Sequence, residues 1–312
     1  MDVVLLFPGQ GSQKPGMGRE LADAYPAARD VFSAVDAALN APISRLAFEG
    51  PEADLTMTDN AQPALLAHGA AVWAVVGTAL GPMVRAAAGH SLGEITAYHA
   101  AGALPVDAAA RLVRRRGELM RKTGDERPGA MAAILGTVTE PIDVICARAT
   151  VEAGIVVPAN YNSPEQTVIS GEVAGVERAM ALAKERGAKR AMRLPVSGAF
   201  HSPLMEPAAE GFHAALDAAP FAEARVAIYG NVDGRPTTSP ADARDRLSRQ
   251  LTSPVRWVDV MQSLAADHAG ALFVEMGPGA VLTGLAKRIA PQLATMSCGT
   301  PAEVTQLLAR LT

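Results

Sequence analysis

The sequence has few of the residues on which disulfide scaffolds, metal sites and nucleic-acid interfaces depend. It contains two cysteines in 312 residues, Cys146 and Cys298, and neither lies in a C-x-x-C or paired-histidine pattern. We therefore expect two structural thiols rather than a disulfide or a metal site. The 28 basic and 32 acidic side chains give a formal net charge of −4. This balance argues against general affinity for nucleic acid, so an anionic ligand would need a local basic patch.

Long apolar runs and a targeting signal are lacking as well. No apolar run approaches the roughly 18 residues that a membrane span requires, although 49% of the residues are hydrophobic. Residues 1–7 carry no basic region and are followed at once by Pro8 and Gly9, so they predict a buried strand rather than a signal peptide. We expect a soluble, cytoplasmic monomer with no membrane partner. At 312 residues the chain should form one large domain with an insertion, or two domains.

A G-x-S-x-G pentapeptide occupies residues 89–93, after a mostly apolar stretch and before a helix-like run from Glu94. A serine on a sharp strand-to-helix turn has a strained backbone, and flanking side chains would collide with the neighbouring chain, which accounts for both glycines. The N–H groups at the start of the next helix would stabilise an oxyanion. Ser91 is thus a candidate nucleophile, although a Gly-Ser turn before any helix produces the same string.

Strand-like and helix-like segments alternate along most of the chain. Short apolar runs predict strands, and alanine-rich stretches between them predict helices. The alternation indicates an α/β layered domain with a largely parallel sheet. The predicted strands are 3–7, 84–88, 226–229 and 271–275, and two of the predicted helices are 61–80 and 107–122.

The segment between Thr123 and Pro195 has a different pattern of apolar and turn-forming residues. It predicts a strand, a helix, two strands, a helix and a strand. A β-α-β-β-α-β order over about 70 residues is that of a ferredoxin-like unit. Turn-rich flanks at 123–125 and 195–198 would be its hinges. We therefore expect a large domain from 1–124 and 195–312, and a small subdomain from 125–194. The elements of the small subdomain are predicted at 131–135, 139–150, 155–159, 166–170, 173–187 and 189–194.

A serine hydroxyl is a poor nucleophile at neutral pH and needs a base within hydrogen-bond reach, usually histidine. The chain has six histidines. His90 would point away from Ser91, and four others stand in helix-like contexts typical of structural residues. His201 differs because it lies in a loop after the inserted unit, where a side chain can face a cleft between domains. We therefore predict His201 as the base. The four structural candidates are His68, His99, His213 and His268.

Five short motifs follow one another along nearly the whole chain. They are Phe7-Pro8-Gly9-Gln10-Gly11-Ser12-Gln13, Gly89-His90-Ser91-Leu92-Gly93-Glu94, Asn160-Tyr161-Asn162-Ser163-Pro164, Ala199-Phe200-His201-Ser202 and Glu275-Met276-Gly277-Pro278-Gly279. Together they resemble the malonyl-CoA:acyl carrier protein transacylase family. This family includes the discrete enzyme of bacterial fatty-acid synthesis and the acyltransferases of polyketide synthases. The resemblance implies an α/β-hydrolase-like domain that carries a ferredoxin-like insertion.

The resemblance also implies catalytic roles. Ser91 would be the acyl-carrying nucleophile and His201 its base. The main-chain carbonyl of Gln250 would orient that histidine in place of a triad aspartate. The backbone N–H groups of Gln10 and Leu92 would form the oxyanion hole, where one donor is typically worth about 10²- to 10³-fold in rate.

The substrate-binding residues implied by the resemblance are Arg116, Phe200 and Asn162. Arg116 would grip the free carboxylate of a malonyl group, since a guanidinium binds a carboxylate bidentately and stays charged when desolvated. Without the resemblance, the arginine triplet 114–116 would predict an exposed helix face. Phe200 stands just before His201. In polyketide acyltransferases a phenylalanine at this position accompanies selection of malonyl groups, because its ring fills the space that an α-methyl group would need.

The implied activity is ping-pong transfer of a malonyl group from malonyl-CoA, through a malonyl-serine ester, to the phosphopantetheine thiol of an acyl carrier protein. Malonyl-CoA and the carrier protein are the expected partners. The coenzyme A thioester is a substrate, and we expect no permanently bound cofactor and no metal. The basic stretch Arg178 to Arg193 is either a dock for CoA phosphates or an acidic carrier protein, or a solvated helix face.

Three alternatives stay open. An α/β-hydrolase esterase or thioesterase would share Ser91, but it normally places its histidine near the chain end, where only His268 is available. A non-catalytic module that binds carrier proteins would not need Ser91, His201 and Arg116. A polyketide acyltransferase with a different acyl substrate is the third alternative.

The pathway is left open by three departures from the family pattern. Gly198 stands where polyketide enzymes often have histidine, although several discrete enzymes have glycine there. Ile95 and Thr96 replace an aromatic and a small residue that commonly follow the glutamate of the second motif. These departures leave the chemistry untouched.

Overall fold

The fold is that of a computed structural model, which describes residues 1–196 and 198–311. Ser197, within the second predicted hinge, and Thr312 lie outside the described residues. The strands are β1 Val3–Phe7, β2 Val84–Gly89, β3 Ala130–Leu135, β4 Val156–Ser163, β5 Gln166–Gly171, β6 Arg190–Arg193, β7 Ala227–Tyr229, β8 Pro236–Thr237, β9 Leu272–Met276 and β10 Ala294–Cys298. The helices are α1 Arg19–Ala24, α2 Pro26–Leu39, α3 Ile43–Glu49, α4 Glu52–Thr56, α5 Thr58–Leu80, α6 Gly93–Ala100, α7 Val106–Glu126, α8 Ile142–Ala153, α9 Val173–Glu185, α10 Glu206–Ala218, α11 Pro240–Gln250, α12 Trp257–Asp267, α13 Val281–Ile289 and α14 Pro301–Ala309, with short 3-10 helices at Gly81–Met83 and Pro203–Met205.

The large sheet has the strand order β10-β9-β1-β2-β7-β8. Its strand pairs are parallel, except that β8 runs antiparallel to β7 at one edge. In the central strand β1, Val3, Leu5 and Phe7 belong to one hydrophobic core, and Val4 and Leu6 belong to another. Successive strand residues point to opposite faces, so the sheet is buried on both sides, as parallel sheets are. The predicted mixed α/β fold with a parallel sheet is confirmed.

Helix α5 lies in the main core and packs against α2 and α7. With the 3-10 turn that follows it, the stretch 58–83 is long and apolar enough to cross a membrane by length and composition alone. The expectation that no apolar stretch of this length occurs was therefore wrong. Gln62 and His68 lie within this stretch, but its mean hydropathy is still as high as that of a membrane-spanning helix. Because 61% of its most apolar window is buried inside the molecule, core packing accounts for its composition.

A second, smaller sheet is antiparallel and has the strand order β4-β5-β3-β6. Helices α8 and α9 cover it and form a separate hydrophobic core with it. The predicted β-α-β-β-α-β order of elements is confirmed. Backbone hydrogen bonds tie β4 to the large part of the chain, because Tyr161 N–H donates to the Val255 carbonyl (2.9 Å) and Val255 N–H donates to the Ala159 carbonyl (2.8 Å).

Two segments outside the predicted helices and strands proved to be regular structure. Residues 123–125 belong to the last part of α7, which continues to Glu126. Asn160–Ser163 belong to β4, and only Pro164 and Glu165 connect β4 to β5. A two-residue connection is enough for an antiparallel hairpin, so the polar run 160–163 stays within the sheet.

Candidate active site

Ser91 lies on the turn between β2 and α6 and has a left-handed backbone conformation, with φ of 53°. Non-glycine residues rarely adopt this conformation, and it is typical of strained functional positions. A Cβ at Gly89 would lie 1.9 Å from the carbonyl carbon of Gly93, and a Cβ at Gly93 would lie 2.2 Å from the Phe7 carbonyl oxygen. Close backbone contact therefore requires glycine at both positions.

The side chains of Ser91 and His201 meet although they lie far apart in the sequence. Ser91 Oγ is 2.8 Å from His201 Nε2, and His201 Nδ1 is 2.8 Å from the carbonyl oxygen of Gln250. A carbonyl only accepts, so Nδ1 carries the ring proton and Nε2 is free to accept the proton of Ser91. This is the arrangement of a serine nucleophile with a base that a third group orients.

The imidazole of His201 is buried, with 4% of the residue exposed. Burial, and then the charge of Arg116, lower the pKa of His201 to about 3. A protonated ring would lose its hydration there and would lie beside a second cation. His201 is therefore neutral at physiological pH, the form that a general base requires.

Arg116 projects from α7 into the same site and is 1% exposed. Its Nη2 donates to Ser91 Oγ (3.0 Å) and to Gln250 Oε1 (2.8 Å), and its Nη1 donates to Gln62 Oε1 (2.8 Å). These partners are all neutral. Burial lowers the pKa of Arg116 to about 10, so the guanidinium is still charged at neutral pH. A buried cation with neutral partners is suited to an anionic ligand.

A cavity of about 330 Å³ opens beside Ser91, between the two sheets. Its volume lies at the lower end of the range typical of ligand pockets, roughly 300–1,000 Å³. Ser91, His201 and Arg116 lie together in its wall. Apolar residues from both parts of the chain also line it, among them Met120, Met131, Val168, Leu194, Leu282 and Leu285.

Gln10 and Leu92 line the same cavity as Ser91. The hydroxyl of Thr58 donates to Gln10 Oε1 (2.8 Å), which fixes the loop after β1. Leu92 is the N-cap of α6, where backbone N–H groups are free of helical partners and the helix dipole is positive. Both positions suit donors to an oxyanion, and the role of the two N–H groups stays a prediction.

Asn162 and Phe200 also line the cavity. Asn162 Oδ1 is 2.8 Å from His90 Nε2, so His90 bonds to Asn162 and not to Ser91, and burial lowers the pKa of His90. Phe200 is 6% exposed. A Cβ at Gly198 would lie 2.7 Å from Cε1 of Phe200, so the glycine at 198 leaves room for the ring.

Residues 4–306 match the family described as acyl transferase domain. The chain belongs to this family. A malonyl CoA-acyl carrier protein transacylase of Bacillus subtilis strain 168 is 46% identical over 299 residues, which cover 96% of this chain and 94% of the relative.

Solved structures of the family superimpose closely on this acyl transferase domain. An acyl-carrier-protein S-malonyltransferase from Bartonella henselae gives a TM-score of 0.94 at 40% identity and covers 100% of this chain and 99% of its own. A type II polyketide synthase acyl carrier protein in complex with its malonyl transacylase gives a TM-score of 0.95 at 39% identity, with 99% and 100% covered.

Three further side chains, for which the sequence predicts no role, hold the site of this acyl transferase domain. Asn231 Oδ1 accepts from the Ser91 N–H (2.7 Å), and Asn231 Nδ2 donates to the Gly89 carbonyl (2.8 Å). Gln62 binds Arg116, and Glu94 Oε2 accepts from Gln250 Nε2 (2.7 Å). No local pattern marks Asn231 or Gln62, whereas Glu94 completes the second motif.

The other predicted candidates lie away from the cavity. His268 is at the end of α12, with Nε2 3.3 Å from the Tyr229 hydroxyl. Cys146 and Cys298 are both free and buried. Within residues 1–196 and 198–311, no group of three or more His, Cys, Asp or Glu side chains is placed to hold a metal ion.

The basic stretch 178–193 is partly neutralised by acidic residues inside and outside it. The stretch itself contains one acidic residue, Glu185. Three of the six cations of this stretch form ion pairs, all on partly exposed side chains, which makes the local positive charge smaller than the sequence indicates. The pairs are Arg178 with Glu152 and Glu185, Arg186 with Glu140, and Arg193 with Glu177.

The Gly93→Ala variant is expected to lose about 3 kcal/mol of unfolding free energy, because its Cβ would collide with the backbone of the central strand. Thermal and urea unfolding measure the loss. Gly284→Ala is the matched control, since a Cβ at Gly284 meets no atom within 4 Å on helix α13. That control should be neutral or more stable by up to about 1 kcal/mol. Similar losses in both variants would contradict the steric argument.

Proposed function

We propose that this protein transfers a malonyl group from malonyl-CoA to the phosphopantetheine thiol of an acyl carrier protein. The observation that carries the proposal is the convergence of Arg116 Nη2 and His201 Nε2 on Ser91 Oγ, at 3.0 Å and 2.8 Å. A base beside the hydroxyl supports covalent catalysis. A buried guanidinium beside the same hydroxyl supports an acyl group with a free carboxylate. The malonyl transacylases among the relatives support the same substrate.

The first half-reaction would load the enzyme. His201 Nε2 accepts the Ser91 proton while Oγ attacks the thioester carbonyl of malonyl-CoA. The backbone N–H groups of Gln10 and Leu92 would stabilise the tetrahedral oxyanion. The C–S bond then breaks, the CoA thiolate takes the proton from His201, and a malonyl-serine ester remains, with its carboxylate on Arg116.

The second half-reaction would repeat these steps with the carrier-protein thiol as nucleophile. His201 deprotonates the thiol, the sulfur attacks the ester carbonyl, and Ser91 leaves with the proton. One site therefore serves two thioesters of nearly equal energy. The chain's own groups supply base, donors and counter-charge, so no permanently bound cofactor is required. A solved complex of a carrier protein with its malonyl transacylase supports this kind of partner.

The proposal extends to architecture and location. The large part, 1–124 with 195–312, would be an α/β-hydrolase-like catalytic domain, which the parallel sheet and the Ser91 turn support. The part 125–194 would be a ferredoxin-like subdomain, which the order β4-β5-β3-β6 and the two covering helices support. The proposal also includes a monomer in the cytoplasm that serves fatty-acid or polyketide synthesis.

Incubation with malonyl-CoA labelled in the acyl group tests the function. We expect a stable labelled enzyme that discharges onto holo acyl carrier protein, and no label on Ser91→Ala. Rapid release of free malonate would instead indicate an esterase or thioesterase. Absence of label on the wild-type protein would indicate either a module that only binds carrier proteins or an acyltransferase with a different acyl substrate. Either of these results contradicts the proposal.

A further inference from the structure

Two charged side chains, Arg116 and Glu94, are buried below the acyl site, and the side-chain amide of Gln250 joins them. Arg116 Nη2 donates to Gln250 Oε1 (2.8 Å), and Gln250 Nε2 donates to Glu94 Oε2 (2.7 Å). Each charged residue is 1% exposed. Because the direct partners of Arg116 are neutral, its buried counter-charge lies one amide group away, at Glu94.

The carboxylate of Glu94 has few hydrogen bonds for a buried anion. Oε2 accepts from Gln250 and from the Asn231 N–H (3.1 Å), whereas Oε1 has no partner within the described residues. Burial raises the pKa of Glu94 to about 7. Because so few hydrogen bonds stabilise the carboxylate, a change in the surrounding charges shifts the pKa of Glu94. The charged or titratable groups that face it are Arg116 on α7, Arg246 on α11, Asp233 between β7 and β8, and Tyr98 on α6.

We propose that Glu94 is a positioning residue that balances the charge of Arg116 through Gln250 while the acyl site is empty, and takes up one proton from solvent when an acyl carboxylate reaches Arg116. This inference rests on the proposed function, since a malonyl group brings the second carboxylate. Two carboxylates near one guanidinium repel each other, and conversion of Glu94 to the neutral acid removes that repulsion.

The hydrogen bonds of Gln250 allow this exchange without a change of geometry. A protonated Glu94 can carry its proton on the unpartnered Oε1, so Oε2 still accepts from Gln250 Nε2. Gln250 therefore keeps its amide oxygen on Arg116 and its main-chain carbonyl on His201 in both states. By linkage, a ligand that favours protonated Glu94 binds more weakly as the pH rises above the pKa of Glu94.

Calorimetry of ligand binding tests the proton uptake. The Ser91→Ala protein, which cannot form the ester, is titrated with malonyl-CoA near the pKa of Glu94 in buffers of different ionisation enthalpy. At this pH about half of the free protein already carries the proton on Glu94, so we expect a net uptake of roughly half a proton per malonyl-CoA bound, and none with acetyl-CoA. Acetyl-CoA carries the same phosphates without the acyl carboxylate. The affinity for malonyl-CoA should fall by up to about tenfold per pH unit above the pKa, the limit for one proton.

Glu94→Gln in the same background keeps an acceptor oxygen for Gln250 and loses the charge, so the uptake should vanish. Glu275→Gln is the matched control. Glu275 is a buried carboxylate that accepts from the N–H groups of Leu282 (3.0 Å) and Thr283 (2.7 Å). A purely structural role would make Glu94→Gln behave like Glu275→Gln, with a lower melting temperature and unchanged proton uptake.

Malonyl-CoA binding to Ser91→Ala without proton uptake overturns the inference, whether or not Glu94→Gln folds. Uptake that persists in Glu94→Gln overturns it as well. Failure of the proposed function is a separate result, because the wild-type protein would then form no stable labelled acyl-enzyme that discharges onto holo acyl carrier protein.

Discussion

Replacement of His201 by alanine is expected to lower kcat for malonyl transfer by about 10²- to 10⁴-fold, the usual contribution of a positioned general base. The variant removes the acceptor that lies 2.8 Å from Ser91 Oγ. The hydroxyl then has to lose its proton to water, while Arg116 still donates to its oxygen. Single-turnover acylation by labelled malonyl-CoA measures the loss, and substrate binding should change little.

The pH dependence of the same step reports the state of the base. An ordinary histidine is protonated, and inactive as a base, below about pH 6.5. Burial and Arg116 hold the pKa of His201 at about 3, so the ring is neutral above that value. Acylation by acetyl-CoA should therefore not slow as the pH falls from about 8 to about 5.5. A decrease centred near pH 6.5 would contradict the neutral, buried base.

His213→Ala is the control for loss of a histidine elsewhere. Its side chain is exposed on α10, where Nε2 lies 3.5 Å from Asp217. This variant should retain wild-type acylation. A His201→Ala protein with more than about a tenth of the wild-type rate would exclude His201 as the base.

Features that depend on neighbours in the sequence could be predicted from it. The Ser91 turn follows from the two glycines, because each lies where a Cβ would meet backbone atoms. The buried strand β1 follows from five consecutive apolar residues, all of which are buried. His201 was predicted from its loop, and the structure brings its Nε2 to the Ser91 hydroxyl.

Contacts between distant segments could not be predicted in this way. Asn231 accepts a hydrogen bond from the N–H of Ser91, which lies 140 residues away in the sequence. A single asparagine has no characteristic distance in sequence from the residue that it binds. The arginine triplet shows the same limit on a single helix. Arg115 has a side chain that is 52% exposed, whereas Arg116 is 1% exposed. Neighbouring residues of a helix point in directions about 100° apart, so one can face solvent while the next faces the core. Only the family resemblance distinguished Arg116 from the other two arginines.

Arg116→Ala is expected to slow acylation by malonyl-CoA by about 10²- to 10³-fold, and acylation by acetyl-CoA by less than about tenfold. With malonyl-CoA, the variant leaves a carboxylate in a buried cavity without its counter-charge. With acetyl-CoA it removes only the hydrogen bonds of Arg116 to Ser91 Oγ and to the amide oxygens of Gln62 and Gln250. The ratio of the two single-turnover rate constants measures the effect of charge apart from any general damage.

Arg114→Ala is the matched control on the same helix. Its Nη1 donates to the Asp59 carbonyl (2.6 Å) and to Asn60 Oδ1 (2.8 Å), so its truncation disturbs the packing of α7 against α5 without touching Ser91. The malonyl-to-acetyl ratio should stay at the wild-type value in this control. Equal losses for both substrates in Arg116→Ala would exclude the carboxylate contact. A ratio that falls in Arg116→Ala and not in Arg114→Ala would identify the buried guanidinium, rather than the helix that carries it, as the group that selects a charged acyl chain.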